Sequence, residues 1–205
     1  MSVSPRSVEI PDVVVQMPKV LRPVTAVRST IVCASLLGLA EEGLKDAYLE
    51  RLPSEHHAAI AALTAGQWIP VELAMEHYRA CDRLEVDDAS FERMFRNADG
   101  RLRGTTLSTV ASLSTALGLG PWLPLRQYAR TWERLFLGGG VGVLRLGAHV
   151  AQVEARGLPL LRVRYFAKGM RLLHVLAYER FCAQVAVDTY PGPDAESLLY
   201  RVRWR

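Results

Sequence analysis

The sequence predicts an α+β fold: an N-terminal helical layer followed by a mostly antiparallel sheet with one covering helix. Three observations predict it. The closing segment alternates, with Leu198, Tyr200, Val202 and Trp204 on one face and Leu199, Arg201, Arg203 and Arg205 on the other. A period of two with one apolar face describes a half-buried strand. From about Ser29 to Gly138 the apolar residues instead recur at three- and four-residue steps, the spacing of amphipathic helices. Beyond Gly138-Gly139-Gly140, three β-type segments, one amphipathic helix and two closing β-type segments follow with almost no spare residues.

The elements follow in order. Residues 1–28 carry Pro5, Pro11, Pro18 and Pro23. Proline lacks the backbone N–H that helices and central strands need, so this part reads as an extended arm with one short strand at Val13 to Gln16. Turn signals at Leu52-Pro53-Ser54, Ile69-Pro70, Ala98-Asp99-Gly100 and Gly118 to Pro121 divide the following region into helices. Ser54 is placed to cap a helix beginning near Glu55, and Asp87 or Asp88 the one through Phe91 and Phe95. A helix at 105–117 is rich in hydroxyls, which suit either close helix packing or the polar lining of a pocket.

The clearest helix runs from Leu123 to Leu137. Leu125, Tyr128, Ala129, Trp132, Leu135 and Phe136 form one apolar stripe, and Arg126, Arg130 and Arg134 line another face. The triple glycine then ends the helix and lets the chain turn into the sheet. Val141 to Leu146, Val150 to Ala155 and Leu160 to Tyr165 read as strands, with Arg156-Gly157 as a turn. Helix 167–183 covers the sheet with Met170, Leu173, Leu176, Ala177 and Phe181, and Val185 to Thr189 and Leu198 to Trp204 complete it.

At 205 residues, half of them hydrophobic, the chain can bury a full core. The organisation expected is the arm, 1–28, and one domain, 29–205, with a helical part at 29–138 and a sheet part at 141–205. The net charge of +4 is spread along the chain, unlike the clustered footprint of a nucleic-acid binder. Three cysteines, Cys33, Cys81 and Cys182, lie far apart and form no C-x-x-C, so a reducing, cytoplasmic setting is expected. The apolar stretch Thr30 to Ala40 is too short to span a bilayer.

The chemistry-bearing patterns are sparse. No G-x-S-x-G is present, and Gly138 to Gly142 precedes a strand where a phosphate loop requires a helix. His77 and Cys81, four apart, and Glu179 and Cys182, three apart, are incomplete as metal sites, because a site needs three or four ligands. His56 and His57 are expected at the surface. His149 and His174 are placed to face the space between sheet and helix.

Several local strings resemble a known family. Leu52-Pro53, Gln67-Trp68-Ile69-Pro70, His77-Tyr78-Arg79-Ala80-Cys81-Asp82, Pro121-Trp122 and Trp132-Glu133-Arg134 look like an uncharacterised bacterial family. Its members end in a block similar to the four-vinyl-reductase domain, a relative of the heme-nitric-oxide-binding fold. Here that block comprises the helix Phe166 to Ala183 and a last strand ending in Tyr200-Arg201-Val202-Arg203-Trp204. The resemblance implies a small-molecule-binding or sensory module, often with a zinc site. Aligned on the Tyr-to-Trp ending, Val187, Tyr190 and Leu198 stand where the zinc ligands fall. The Tyr-x-Ser-x-Arg grip on heme propionates is also absent.

The function expected is therefore a non-enzymatic module without metal or cofactor. It would hold an apolar or aromatic small molecule between the helical layer and the sheet, on Tyr128, Trp132, His149, Tyr165 and His174. The alternative is a structural or protein-interaction role, as a homodimer or in contact with a regulator, with neither nucleic acid nor membrane expected as a partner.

Overall fold

The computed structural model describes residues 12–102 and 120–205, with the backbone path alone for residues 98–102. The hydroxyl-rich segment 105–117 lies outside the described residues. Strand β1, Asp12–Val15, and β2, Ala26–Arg28, come from the proline-containing arm. They precede helices α1, Thr30–Glu41, α2, Lys45–Arg51, and α3, His57–Ala61. Strand β3, Trp68–Pro70, then leads into α4, Val71–Asp82, and α5, Asp88–Leu102.

Further along the chain come α6, Trp122–Arg126, α7, Tyr128–Leu135, and β4, Phe136–Leu137. Strands β5, Gly140–Gly147, and β6, Val150–Arg156, form a hairpin. Helix α8, Arg164–Tyr178, and strands β7, Val185–Pro191, and β8, Leu198–Trp204, complete the order. Among the described residues no helix is long and apolar enough to cross a membrane.

The architecture is α+β, as the periodicities predict. Five strands form an antiparallel sheet in the order β1-β5-β6-β8-β7, and three short ones form a second sheet, β3-β2-β4. The register puts Val141, Val143, Ala151, Val153, Ala155, Tyr200, Val202 and Val187 on one inner face, all of them buried. Arg201 and Arg203 point to the opposite, exposed face. A fully buried valine such as Val143 or Val153 contributes about 1.5–3 kcal/mol, so this face is a main source of sheet stability.

Four expectations are corrected. The apolar run Leu160 to Tyr165 is not a strand: Pro159–Arg162 is a 3₁₀ turn and the chain passes directly into α8. Pro159 cannot donate to a ladder, and Leu158 and Leu160 are buried by the turn instead. The covering helix begins and ends earlier than 167–183, and Leu173 is 40% exposed while Gly169 and His174 face inward. The long helix at 123–137 is two short helices meeting at Gln127 and ending in a strand. Helix α5 continues through Ala98-Asp99-Gly100, a turn signal that costs a helix only about 1 kcal/mol at the glycine.

Capping is partly as expected. The Asp87 carboxylate accepts hydrogen bonds from the backbone N–H groups of Ala89 and Ser90, whereas Ser54 makes no side-chain cap. Neither His56 nor His57 is fully exposed, and His57 Nε2 donates to the carbonyls of Leu49 and Leu52 at the end of α2.

The triple glycine does more than end a helix. A Cβ on Gly138 would lie 2.5 Å from the Pro23 carbonyl oxygen, and one on Gly140 would lie 2.7 Å from Leu21. Gly139 N–H donates to Arg22 O over 2.6 Å, and Val24 N–H to Gly157 O over 2.7 Å. These glycines form a trough in which the arm lies. Removing side chains there lets two backbones approach to hydrogen-bonding distance.

Candidate functional site

Two buried histidines organise the interior, each joined to a tyrosine hydroxyl. His174 projects from α8 toward the sheet and is 5% exposed. Its Nδ1 lies 2.6 Å from the carbonyl of Met170, one turn earlier, which can only accept, so Nδ1 carries the proton. Nε2 is then an acceptor, and the Tyr128 hydroxyl of α7 donates to it over 2.7 Å. The imidazole stacks on the Tyr200 ring of β8 at 4.4 Å and 28°, with Tyr178 at 6.2 Å. Helices α7 and α8 and the sheet thus meet at one cluster of four rings.

Electrostatics keep this cluster neutral. Burial pushes the His174 pKa down to about 4, and the Met170 carbonyl offsets part of that shift. Burial raises the hydroxyl pKa values of Tyr128, Tyr178 and Tyr200, and the neighbouring Tyr128 raises the last two further. One polar atom of the cluster is left over. Tyr200 is 0% exposed, yet its hydroxyl has no hydrogen-bond partner among the described residues.

The second histidine sits within the helical layer. His77 is fully buried, with Nδ1 2.8 Å from the Tyr48 hydroxyl and Nε2 3.6 Å from Cys81 Sγ. Burial lowers its pKa to about 3 and pushes the Cys81 thiol up to about 12, so neither group carries charge near neutrality. Tyr78 packs edge-on against His77 and Phe166, and Tyr165 against Phe91 at 5.0 Å, extending an aromatic core through α4, α5 and α8.

The structure brings together only part of the set read from sequence. Tyr128 and His174 are bonded partners. Trp132 lies deeper along α7, donating its indole N–H to Gly138 O over 2.9 Å and packing on Phe136. His149 is exposed on the β5–β6 turn beside Trp204. Tyr165 opens α8 and belongs to the helical-layer cluster; its backbone N–H donates to Asp82. Sequence reasoning missed Tyr178 and Tyr200 as site residues. Both were within reach of spacing arguments, since Tyr178 is one turn after His174 and Tyr200 is on the apolar face of the closing strand.

No family model matches the sequence, and no curated protein matches it significantly. Solved structures do. The chain is similar to an Fe(II) unliganded H-NOX protein mutant from K. algicida, at TM-score 0.60 and 8% identity, over 87% of this chain and 96% of that one. It is similar as well to a protein studied for modulation of heme redox potential through porphyrin distortion, at TM-score 0.57 and 10% identity, over 86% and 99%. A third, from work on heme distortion in the H-NOX family, gives TM-score 0.51 at 12% identity, over 86% and 94%. At these identities the likeness establishes the fold: the chain is built on the H-NOX architecture.

The donor set tests whether heme fits that architecture here. All five histidines are described. Both ring nitrogens of His174 and of His77 already face partners within the core, and His57 holds the end of α2. His149 is on an exposed turn, and His56 lies in the short 3₁₀ turn Ser54–His56. No buried imidazole nitrogen is left for iron. Among the described residues no group of three or more His, Cys, Asp or Glu side chains is placed to hold a metal.

Proposed function

We propose that this protein is a non-enzymatic, small-molecule-binding sensory module that uses the H-NOX architecture without its heme. The likeness to that fold supports a sensory role, and the neutral ring cluster at the meeting of α7, α8 and β8 supports the place of binding. The observation that carries the reading is the fully buried Tyr200 hydroxyl, without a partner among the described residues, beside the Tyr128–His174 bond. Buried polar atoms are almost always paired, and those left over point to an occupant such as a ligand or an ordered water. The likeness of residues 166–204 to four-vinyl-reductase domains belongs to the same reading, as does a cytoplasmic setting. Val187, Tyr190 and Leu198 replace the zinc ligands of those relatives, so this module works without that metal.

Native mass spectrometry of the full chain purified from its own host tests this. The expected result is a noncovalent mass that is retained under native conditions, lost on denaturation, and carries neither iron nor zinc. Protein that emerges bare, or with bound heme, overturns the reading.

A second reading, self-assembly, is favoured by one observation. Strand β1 is a sheet edge, and Val13 on it is 50% exposed. An exposed edge strand is a template for pairing with another chain.

A further inference from the structure

We propose that the open edge of β1, with a crevice beside it on the sheet, docks an extended segment of a partner protein that carries an aliphatic residue next to a basic one. This goes beyond the small-molecule reading and is independent of the ring cluster. The two edges of the large sheet differ. At β7, α8 packs alongside, Arg171 Nε donates to Val187 O over 3.0 Å, and the strand ends at Pro191, which has no N–H to offer. At the other edge, β1 pairs with β5 alone among the described strands, and Asp12 and Val13 are exposed. An open edge strand recognises extended chain through main-chain groups, while pockets beside it read alternate side chains.

Such a pocket is present. Val13 and Val15 of β1, Met17, and Gly142, Leu144 and Gln152 of the β5–β6 hairpin line a crevice of about 90 Å³. A Cβ on Gly142 would stand 3.4 Å from Met17, so a side chain at that position would take up part of this space. The mostly aliphatic walls suit an apolar side chain. Because the crevice is smaller than the roughly 150 Å³ that encloses a benzene ring, the fit is to Val, Leu or Ile and not to an aromatic residue.

Charge sets the neighbour. Asp12 has no ion pair among the described residues, and Glu154 adds a second carboxylate to the crevice wall, shared with Arg156 at 2.6 Å. Adjacent residues of an extended chain point to opposite faces, so an aliphatic residue opposite Val13 places the next one opposite Asp12, where a lysine or arginine finds its counterion. A second copy of this chain is the weaker occupant. A stable dimer buries roughly 1,200–2,000 Å² in total, more than a strand of four residues with a register shift between Val13 and Val15 supplies by itself.

The test is an NMR titration of the isotope-labelled full chain with the peptide acetyl-Thr-Thr-Leu-Lys-Thr-Thr-amide. Binding at millimolar concentration should shift the backbone resonances of residues 12–15 and of Gly142. Replacing the peptide's leucine by glycine should weaken binding about 3- to 10-fold, the worth of a partly buried aliphatic side chain. Replacing its lysine by glutamate should weaken it about 2- to 5-fold, a difference that shrinks as salt is added. In Gly142→Ala the preference for leucine should fall while the melting temperature holds, since the backbone at residue 142 is outside the left-handed region.

No binding at millimolar concentration, shifts confined to other surfaces, or equal affinity for the leucine and glycine peptides would each overturn the proposal. So would a chain that light scattering finds dimeric and that Val13→Lys returns to a monomer, because a second copy would then hold the edge. If Gly142→Ala fails to fold, the peptide series on the wild type decides alone. None of these results bears on a retained small molecule, which the native mass measurement reads separately.

Discussion

The Tyr128 hydroxyl donates to Nε2 of His174 across 2.7 Å, tying helix α7 to helix α8 at the point where both meet the sheet. Its direction follows from the other ring nitrogen, whose proton goes to Met170 O. Deleting the donor leaves a buried acceptor unpaired. Tyr128→Phe is therefore expected to lose about 1–3 kcal/mol in urea denaturation, with the ring packing retained. An unchanged midpoint would sink the assigned bond.

Acidification should weaken the fold in a defined window. The folded-state pKa values of His77 and His174 are depressed from 6.5 to about 3 and about 4. Between pH 6.5 and those values the unfolded chain binds more protons than the native one, so stability falls as pH falls. Above the ordinary histidine pKa their contribution is fully present. Each imidazole adds a slope of up to about 1.4 kcal/mol per pH unit. Urea titrations at about pH 7, 6 and 5 should show progressive loss, and His174→Gln should reduce the slope. A profile flat across that range would contradict the neutral, buried assignment of both rings.

Gly169 decides between helix propensity and packing. Alanine there would gain about 1 kcal/mol of propensity in the middle of α8. Its Cβ, however, would lie 2.5 Å from the tip of the Phe95 ring, which could yield only by giving up its stacking on Phe91. Overpacking of this kind costs about 1–3 kcal/mol, so Gly169→Ala should be destabilising on balance. Thermal melts of the two proteins are the check, and a raised melting temperature would show that α5 can shift away from α8.

The self-assembly reading has its own test. If β1 pairs with a second copy, light scattering on the full chain gives a dimer, and Val13→Lys returns it to a monomer, because a charge on an edge strand blocks edge-to-edge pairing. Deleting the whole arm would be uninformative. Ala26–Arg28 is the central strand of the small sheet, and Arg22 to Val24 are bonded into the glycine trough.

Much of the fold was legible, and the exceptions share a cause. The alternation of Leu198 to Trp204 appears as read, because one-sided burial writes its period into the chain. Leu160 to Tyr165 did not, since a short apolar run fits a buried turn and helix start as well as a strand. For the site, Tyr128 and His174 were identifiable as polar-tipped residues on apolar faces. That Tyr165 packs in the helical layer was not, because periodicity says that a residue is buried without saying against what.

Taken alone, the amino-acid sequence determined the fold class, the closing strand and the helical character of the stretch that follows the arm. These are properties of composition and local period, which each segment carries by itself. Tertiary structure alone decided that the triple glycine cradles the arm, that the arm supplies a fifth strand to the sheet, and that the buried Tyr200 hydroxyl has no partner among the described residues. Each of those depends on distances between atoms far apart in the chain, and hydrogen-bond satisfaction at Tyr200 in particular is settled only when α7, α8 and β8 are packed together.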